Sequence, residues 1–405
     1  MRQIYQHDFI KHDIQTSILV FFISIITTIG GVGGGGLLIP TYLLVGKFNL
    51  TQSVPLSILT IFGDTIVRLI YLFPKKHPLN NKRSIIDLTP LLLLIPFDGN
   101  TSFIGVILAN LLPDIFRLFC IIFILGLTLI KTTIKAFDTL KKEDIFLRKL
   151  ENENELEMIV IDGIANYIDK NTIEEFNNKD GLGDTLRQKY TNSFISFSCI
   201  SILSIFSFIR SSYSVCSIKY YYFIFGQFLF ILFYGLFIVN YLKNNYNFKK
   251  NNNYLFLEGD IVWKNNNIFK FISIGSLTGF LSTYMGIGGG MLVTPIMFNV
   301  GMIPEVVVAT SSVSTFFSTI ISLINYLQTP DLLWKHGLVF AFISGAGSLV
   351  GLKVSNIIIK KFKRQSIIIF IVDFILLLSM CLLIYNGSIE YNFNNFKISN
   401  VCKLL

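Results

Sequence analysis

The chain has few charged residues: Asp, Glu, Lys and Arg make up 15% of its 405 residues, whereas 52% are hydrophobic. Soluble domains carry about 25% charged residues, so this composition excludes an ordinary soluble domain. Uncharged runs of about 20 residues recur along the chain, and each is long enough to cross a hydrocarbon core of ~30 Å. The sequence therefore predicts an all-α, polytopic transmembrane helical bundle whose first partner is the lipid bilayer.

Cysteine and histidine are also scarce, with 5 and 4 residues. The cysteines show no Cys-x-x-Cys spacing and the histidines are not clustered, so we expect packing cysteines, no metal site and no cofactor. The net charge of +9 comes from residues scattered through short loops, which argues against nucleic acid as a partner. The oligomeric state is left open.

Ten apolar runs are expected to cross the membrane. They cover residues 15–45, 51–73, 88–112, 115–137, 192–209, 219–242, 268–300, 305–328, 336–358 and 365–386. The first run lacks a small-residue cleavage site, so it is interpreted as a spanning helix and not as a signal peptide.

Two of these runs contain a glycine-rich segment that ends in proline. GVGGGGLLIP occupies residues 31–40, and GIGGGMLVTP occupies residues 286–295, at an offset of 255. Glycine and proline both weaken helices, and lipid does not satisfy the backbone groups that a break exposes. Broken helices at corresponding positions of two halves indicate a transporter's binding site. Close packing of helices through small residues is the alternative.

The two copies predict an internal duplication of a four-helix unit, with a broken first helix in each copy and an inserted middle segment. The expected divisions are an N-terminal tail (1–14), repeat 1 (15–137), a charged soluble loop (138–191), two extra helices with a loop (192–267), repeat 2 (268–386) and a C-terminal tail (387–405).

Successive glycines let backbone N–H groups point into one concavity, and the following half-helix presents its positive dipole end there. This arrangement suits a small anion. The candidate backbone residues are Gly31, Gly33, Gly34, Gly35 and Pro40 in the first copy, and Gly286, Gly288, Gly289, Gly290 and Pro295 in the second.

The second span of each half adds hydroxyl groups to the candidate site. The residues are Ser57 and Thr60 in the first half, and Thr310, Ser311, Ser312 and Thr315 in the second. Hydrogen bonds to their own helix or to a neighbouring helix are the alternative role. Asp64 and Arg68 lie in mid-span at an i,i+4 spacing, where they either neutralise each other or act on an anion or a proton.

If every run crosses once, the two halves have the same orientation, and the distribution of Lys and Arg places both termini in the cytoplasm. The cluster of basic residues at 360–364 disagrees with this orientation. The expectation also depends on the glycine-rich runs not being re-entrant hairpins.

At these residues the sequence resembles the sulfite exporter TauE/SafE family of membrane permeases. The shared features are the GxGGG-xxxx-P segments, the run Val308-Ala309-Thr310-Ser311-Ser312, and the glycines Gly345, Gly347 and Gly351. The resemblance implies secondary transport of sulfur-containing oxyanions, such as sulfite or sulfonates, with the plasma membrane favoured as the location.

Two other functions remain open. The chain is alternatively a channel or exchanger for another small solute, or a non-transporting membrane scaffold that acts through the 138–191 loop. An enzyme is not expected, because no paired carboxylates, His cluster or Ser/Lys arrangement recurs in the spans. An ATP-driven pump is disfavoured, because GVGGGG is not followed by the Lys-Ser/Thr of a phosphate-binding loop.

Overall fold

A computed structural model describes residues 11–78, 80–112, 114–152, 186–213, 217–252, 256, 259–327, 332–362 and 366–390. These residues form α1 (Lys11–Gly30), α2 (Gly35–Leu44), α3 (Leu50–Leu72), β1 (Lys76–His77), β2 (Asn80–Ser84), α4 (Leu91–Leu111), α5 (Asp114–Asn152), α6 (Leu186–Ser211), α7 (Ile218–Asn251), α8 (Asn265–Met285), α9 (Gly290–Val300), α10 (Pro304–Tyr326), α11 (Trp334–Phe362) and α12 (Ser366–Glu390). The strands pair antiparallel.

The predicted all-α membrane bundle is confirmed. Ten of the described helices are long and apolar enough to cross a membrane, and α2 and α9 are shorter apolar helices. The span in α10 is 83% buried and the span in α7 is 22% buried, so α10 lies at the centre and α7 at the lipid-facing edge. Residues 138–152 of the predicted soluble loop continue α5, and residues 153–185 lie outside the described part.

The first glycine segment reverses the direction of the chain. α1 and α3 run parallel, because the Thr28 hydroxyl bonds to Asp64 at 3.2 Å and Arg68 bonds to the carbonyl of Val32. α2 must therefore return to the end from which α1 starts. Ring contact between Phe48, after α2, and His336, at the start of α11, places both at one end, where His336 also lies 3.6 Å from Asp13. We call this end the N-terminal end.

The second glycine segment reverses the chain in the same way, but from the opposite end of the bundle. α8 and α10 run parallel, because Ser282 lies 3.3 Å from Ser318 and the Tyr326 hydroxyl bonds to the carbonyl of Thr283 at 2.9 Å. The backbone N–H of Asp87, just before α4, donates to Thr310 near the start of α10. α4, α8 and α10 thus start beside the β1–β2 hairpin, at what we call the hairpin end.

The two halves therefore run in opposite directions. α3 starts at the N-terminal end and α10 at the hairpin end, and they cross where the rings of Phe62 and Phe316 stack at 5.9 Å. The expectation of equal orientation is wrong, because each glycine segment turns the chain back instead of interrupting one crossing. The arrangement is the inverted scheme found in many secondary transporters. The internal duplication itself stays a prediction.

Contacts between the halves also show which residues of α3 and α10 occupy equivalent positions. Gly286 packs against Val54 and accepts a hydrogen bond from Ser57, whereas Gly31 packs against Val308 and accepts one from Ser311. Val54 and Ser57 thus correspond to Val308 and Ser311 at an offset of 254. The stretch from the start of α9 to the start of α10 is one residue shorter than that from α2 to α3. The offset of 255 that relates the two glycine segments would pair Ser57 with Ser312, and the contacts show that this pairing is wrong by one residue.

Glycines allow two pairs of parallel helices to approach closely, as small residues commonly do in membranes. Gly279 of α8 packs on the backbone of Asp98 in α4, and Gly351 of α11 packs on the backbone of Ile25 in α1. A Cβ atom on Gly279 would collide with the Asp98 carbonyl. These contacts fix α4 against α8 and α1 against α11, so they set the positions of the glycine segments that follow α1 and α8.

We expect Gly279→Ala to destabilise the protein, because the added methyl group must push two backbones apart, and overpacking typically costs about 1–3 kcal/mol. Thermal unfolding in detergent measures the loss. Gly126→Ala is the matched control, because its Cβ meets only the Met380 sulfur, at 3.8 Å. Equal thermal unfolding midpoints for Gly279→Ala and Gly126→Ala would contradict the close packing of α8 on α4.

The direction of the helices changes the expected orientation in the membrane. Most Lys and Arg residues fall in four stretches of the sequence, residues 75–83, 141–189, 243–264 and 360–364, and the described parts of these stretches lie at the hairpin end. The end of α11, which contains Lys360 and Lys361 of the cluster that disagreed with the single-crossing scheme, lies with the others. The positive-inside rule then places the hairpin end in the cytoplasm and the start of α1 and the end of α12 on the other side, opposite to the sequence-based expectation.

Protease protection tests this orientation. In sealed vesicles whose cytoplasmic face is outward, an epitope tag after residue 405 should survive protease, and a tag within residues 160–180 should be cleaved. Detergent should expose both tags to cleavage. Cleavage of the C-terminal tag before detergent is added would contradict the inverted arrangement or the charge rule.

Candidate functional site

The two glycine segments meet in the interior of the bundle. A Cβ atom on Gly33 would lie 3.5 Å from Cα of Gly288, and one on Gly290 would lie 3.1 Å from the backbone nitrogen of Gly33. A Cβ atom on Gly35 would collide with the backbone of Gly286 and Ile287. The structure thus brings the predicted glycines together and leaves no room for side chains where the segments cross. We call this crossing the glycine junction.

Backbone conformation also requires glycine in both segments. The φ angles of Gly31 and Gly34 are +68° and +74°, and those of Gly286 and Gly288 are +69° and +74°, a region that side chains disfavour.

Pro40 and Pro295 lie inside α2 and α9 and are buried. Because proline has no N–H, the carbonyls of Gly36 and Met291 receive no helical hydrogen bond from them. Each short helix is thus weakened close to the glycine junction.

Side chains from other helices bind the carbonyl groups of the glycine junction. Ser57 donates to the carbonyl of Gly286 at 2.7 Å, and Ser311 donates to that of Gly31 at 3.0 Å. Thr294 makes a second bond to Gly31 at 3.2 Å. The two Nη atoms of Arg68 both lie 3.2 Å from the carbonyl of Val32. These donors satisfy the carbonyls of Gly31, Val32 and Gly286, which the two breaks expose.

The N–H groups of the glycine junction are treated differently. Among the described residues, the N–H groups of residues 33–36 and 287–290 have no hydrogen-bond acceptor, and all eight residues are buried. α2 and α9 begin at these groups, so the positive ends of two helix dipoles converge there. Buried N–H groups at helix N-termini bind anions. The junction therefore presents buried backbone donors at the start of both short helices, while side chains occupy the carbonyls of Gly31, Val32 and Gly286.

The remaining predicted hydroxyls have other partners. Thr60 bonds to the Leu56 carbonyl and to the Tyr42 hydroxyl, at 2.9 and 2.7 Å. Thr310 accepts from Asp87 at the hairpin end, and Ser312 bonds to the carbonyl of Val308 in its own helix. The Thr315 hydroxyl donates to the backbone carbonyl of Ser311, and the Thr315 side chain also contacts the junction at Gly33 and Gly290. In this conformation Ser57, Ser311 and Thr315 are the predicted hydroxyl residues at the junction.

Asp64 and Arg68 form a buried ion pair, with Nε of Arg68 3.0 Å from Oδ1 of Asp64. Thr28 donates to the same carboxylate oxygen. Arg68 therefore both neutralises Asp64 and holds the first glycine segment through Val32. At the corrected offset of 254, the second half has Ser318 and Ser322 at these positions. The structure thus connects the pair to one side of the junction.

Sequence reasoning missed one residue near the junction. Asp98 in α4 is 5% exposed, and its Oδ1 atom has no hydrogen-bond partner. Its carboxylate interacts with Ser318, whose hydroxyl would lie 3.1 Å from a Cβ atom on Gly289. The available signal was an acidic residue inside an apolar run, because such residues are rare within membranes and mark functional paths.

A double-mutant cycle tests the role of the Asp64–Arg68 pair. We expect Arg68→Gln to destabilise the protein by about 3–5 kcal/mol, because it leaves a buried carboxylate without its cation. Asp64→Asn combined with Arg68→Gln should recover part of that loss. Unfolding measured in detergent for the single and double variants gives the coupling. Additive effects would contradict mutual neutralisation.

Comparisons with known proteins find a membrane transporter family to which the chain is similar. A family model described as sulfite exporter TauE/SafE matches residues 195–380. Sulfite exporter TauE/SafE family proteins 2 and 5 of Arabidopsis thaliana are 26% and 25% identical to the chain, covering 92% and 93% of it and 82% and 83% of their own lengths. The probable membrane transporter protein YunE of Bacillus subtilis is 26% identical over 28% of the chain and 43% of its own length.

No solved structure matches the chain. The resemblance seen in the glycine segments is confirmed by the family model, whose match includes the second segment, and by relatives that extend over nearly the whole chain.

Proposed function

We propose that this relative of the sulfite exporter TauE/SafE family is a membrane permease for small anions. The proposed substrates are sulfur-containing oxyanions such as sulfite or organosulfonates, carried by secondary transport. The observation that supports the proposal is the glycine junction, where the N-termini of α2 and α9 meet with N–H groups that have no acceptor among the described residues.

The chemistry of the junction favours an oxyanion over a cation. A cation needs oxygen ligands, and three carbonyls of the junction, those of Gly31, Val32 and Gly286, already accept hydrogen bonds from side chains. An oxyanion has several acceptor oxygens, which match several backbone N–H donors. The donors are uncharged, so they bind the anion without holding it as a full positive charge would.

The inverted halves provide a way to expose the site to each end in turn. In transporters of this kind, one repeat moves against the other around a binding site near the bilayer midplane. Gly33 from one half faces Gly288 from the other, and Ile61 and Thr315, which flank them, lie at the midpoints of α3 and α10. Relative movement of the halves would therefore open the junction itself.

The inserted helices α6 and α7 support the transport unit from outside the junction. Arg210 of α6 donates to Gln227 of α7 and to Asn325 of α10, both at 2.8 Å. Asn325 in turn donates to Ser102 of α4 at 3.0 Å. We propose that residues 15–137 and 268–386 form the two moving repeats and that this buried polar network docks the 192–267 segment onto them.

Liposome transport tests the proposed function. Purified protein should take up labelled sulfite or methanesulfonate, and Gly33→Ala should lower the rate at least about tenfold, because its methyl group fills the junction beside Thr315 and Gly288. Gly33 has no positive φ, so alanine is compatible with its backbone. Gly126→Ala is the control and should keep the rate.

Other outcomes would support the alternative functions. Voltage-dependent current without coupled uptake would indicate a channel. A protein that transports no oxyanion, and whose Gly33→Ala variant keeps its cellular activity while deletion of residues 153–185 removes it, would be a scaffold. Unchanged uptake by a well-folded Gly33→Ala variant would refute the assignment of the site.

A further inference from the structure

Asp98 in α4 is a buried carboxylate without a cationic partner among the described residues, as is Asp373 in α12, but Asp98 lies close to the glycine junction. Asp64 has Arg68 as its partner, and no positively charged side chain acts on Asp98 among the described residues. Its one interaction is with the Ser318 hydroxyl, and Oδ1 has no hydrogen-bond partner. Ser318 in turn contacts Gly289, where α9 begins. An acid without a cation thus lies one side chain away from the proposed anion site.

We propose that Asp98 binds the proton that couples anion transport to a proton gradient. This inference rests on the proposed function, and it names the coupling ion for the same site. A proton from one side of the membrane binds a carboxylate oxygen of Asp98 while the anion occupies the glycine junction. Both leave on the other side, and the proton returns to water.

Electrostatic repulsion provides the coupling. An ionised Asp98 carboxylate disfavours an anion at the start of α9, because two negative charges would share a buried, weakly screened region. Protonation removes that repulsion, so proton binding strengthens anion binding. Coupling of this kind is reciprocal, and the anion raises proton affinity by the same factor. The two ligands therefore bind and cross together.

Several other ionisable groups on the helices packed against α4 lie against other side chains or near a helix end. These are Arg210 of α6, which bonds to Gln227 and Asn325; Tyr234 of α7, beside Cys199 of α6; Tyr220 of α7, near Arg210; Tyr284 of α8, whose ring lies under Arg117; Tyr326 of α10, which bonds to the Thr283 carbonyl; and Glu305, in the first turn of α10. The side chain that faces Asp98 is the neutral Ser318.

Proton movement in proteoliposomes tests the proposal. The probe is methanesulfonate, which stays ionised near neutral pH, because sulfite would itself carry a proton. Adding it outside vesicles that contain a pH-sensitive dye should acidify the interior only when the protein is present. The initial rate at low concentration should rise by up to about tenfold for each unit of external acidification, the limit for one linked proton.

Asp98→Asn should abolish the acidification and flatten the pH dependence, while exchange of external label for internal methanesulfonate remains measurable. Asp373→Asn is the matched control. Asp373 is also a buried acid within a span, but it lies beside Thr132 and Thr133 of α5. Asp373→Asn should therefore keep both the acidification of the vesicle interior and the pH dependence of the rate.

The outcomes separate this inference from the proposed function. Methanesulfonate exchange by wild-type protein without acidification, or uptake driven by a sodium gradient in place of a proton gradient, would overturn the role of Asp98. Acidification of the vesicle interior by Asp98→Asn at the wild-type rate would also overturn the role of Asp98. Absence of both uptake and exchange would instead refute the permease. If Asp98→Asn fails to fold, methanesulfonate-dependent acidification by the wild-type protein still tests proton coupling, and its absence during exchange overturns the proposal.

Discussion

The constraint on which the structure depends is the need to satisfy backbone groups that two glycine segments expose inside a membrane bundle. Lipid offers no partners for these groups, so the protein must provide them. Ser57, Ser311 and Arg68 are placed where their donors reach the exposed carbonyls. The helices that carry them, α3 and α10, therefore lie at the centre. The N–H groups at the starts of α2 and α9 have no acceptor among the described residues, and they form the anion site that we propose.

The same constraint is met differently in the two halves. In the first half a full cation, Arg68, binds the break and is neutralised by Asp64. In the second half Ser318 takes the position of Asp64 and faces Asp98 from another helix. On one side of the junction the Asp64 carboxylate is neutralised by Arg68. On the other side the Asp98 carboxylate faces the neutral Ser318. This difference gives an inverted, nearly symmetric frame one distinct position for ion coupling.

Reversal of the chain at each glycine segment has consequences far from the junction. It makes the halves antiparallel, so equivalent positions such as Phe62 and Phe316 meet at the crossing of α3 and α10. It also moves the basic stretches to one end of the bundle, including the cluster at 360–364 that a single-crossing scheme places on the wrong side. Binding geometry and membrane orientation thus follow from two short segments.

The sequence by itself determined the membrane class, the ten apolar helices and the two glycine segments, because length, hydropathy and glycine content are local properties of the chain. Only the tertiary structure decided that α2 and α9 turn back, that Ser57 corresponds to Ser311 and not Ser312, and that Asp98 lies near Gly289. These features depend on contacts between residues far apart in the chain. The linker before α10 is shortened by one residue, and only those contacts reveal the resulting shift in register.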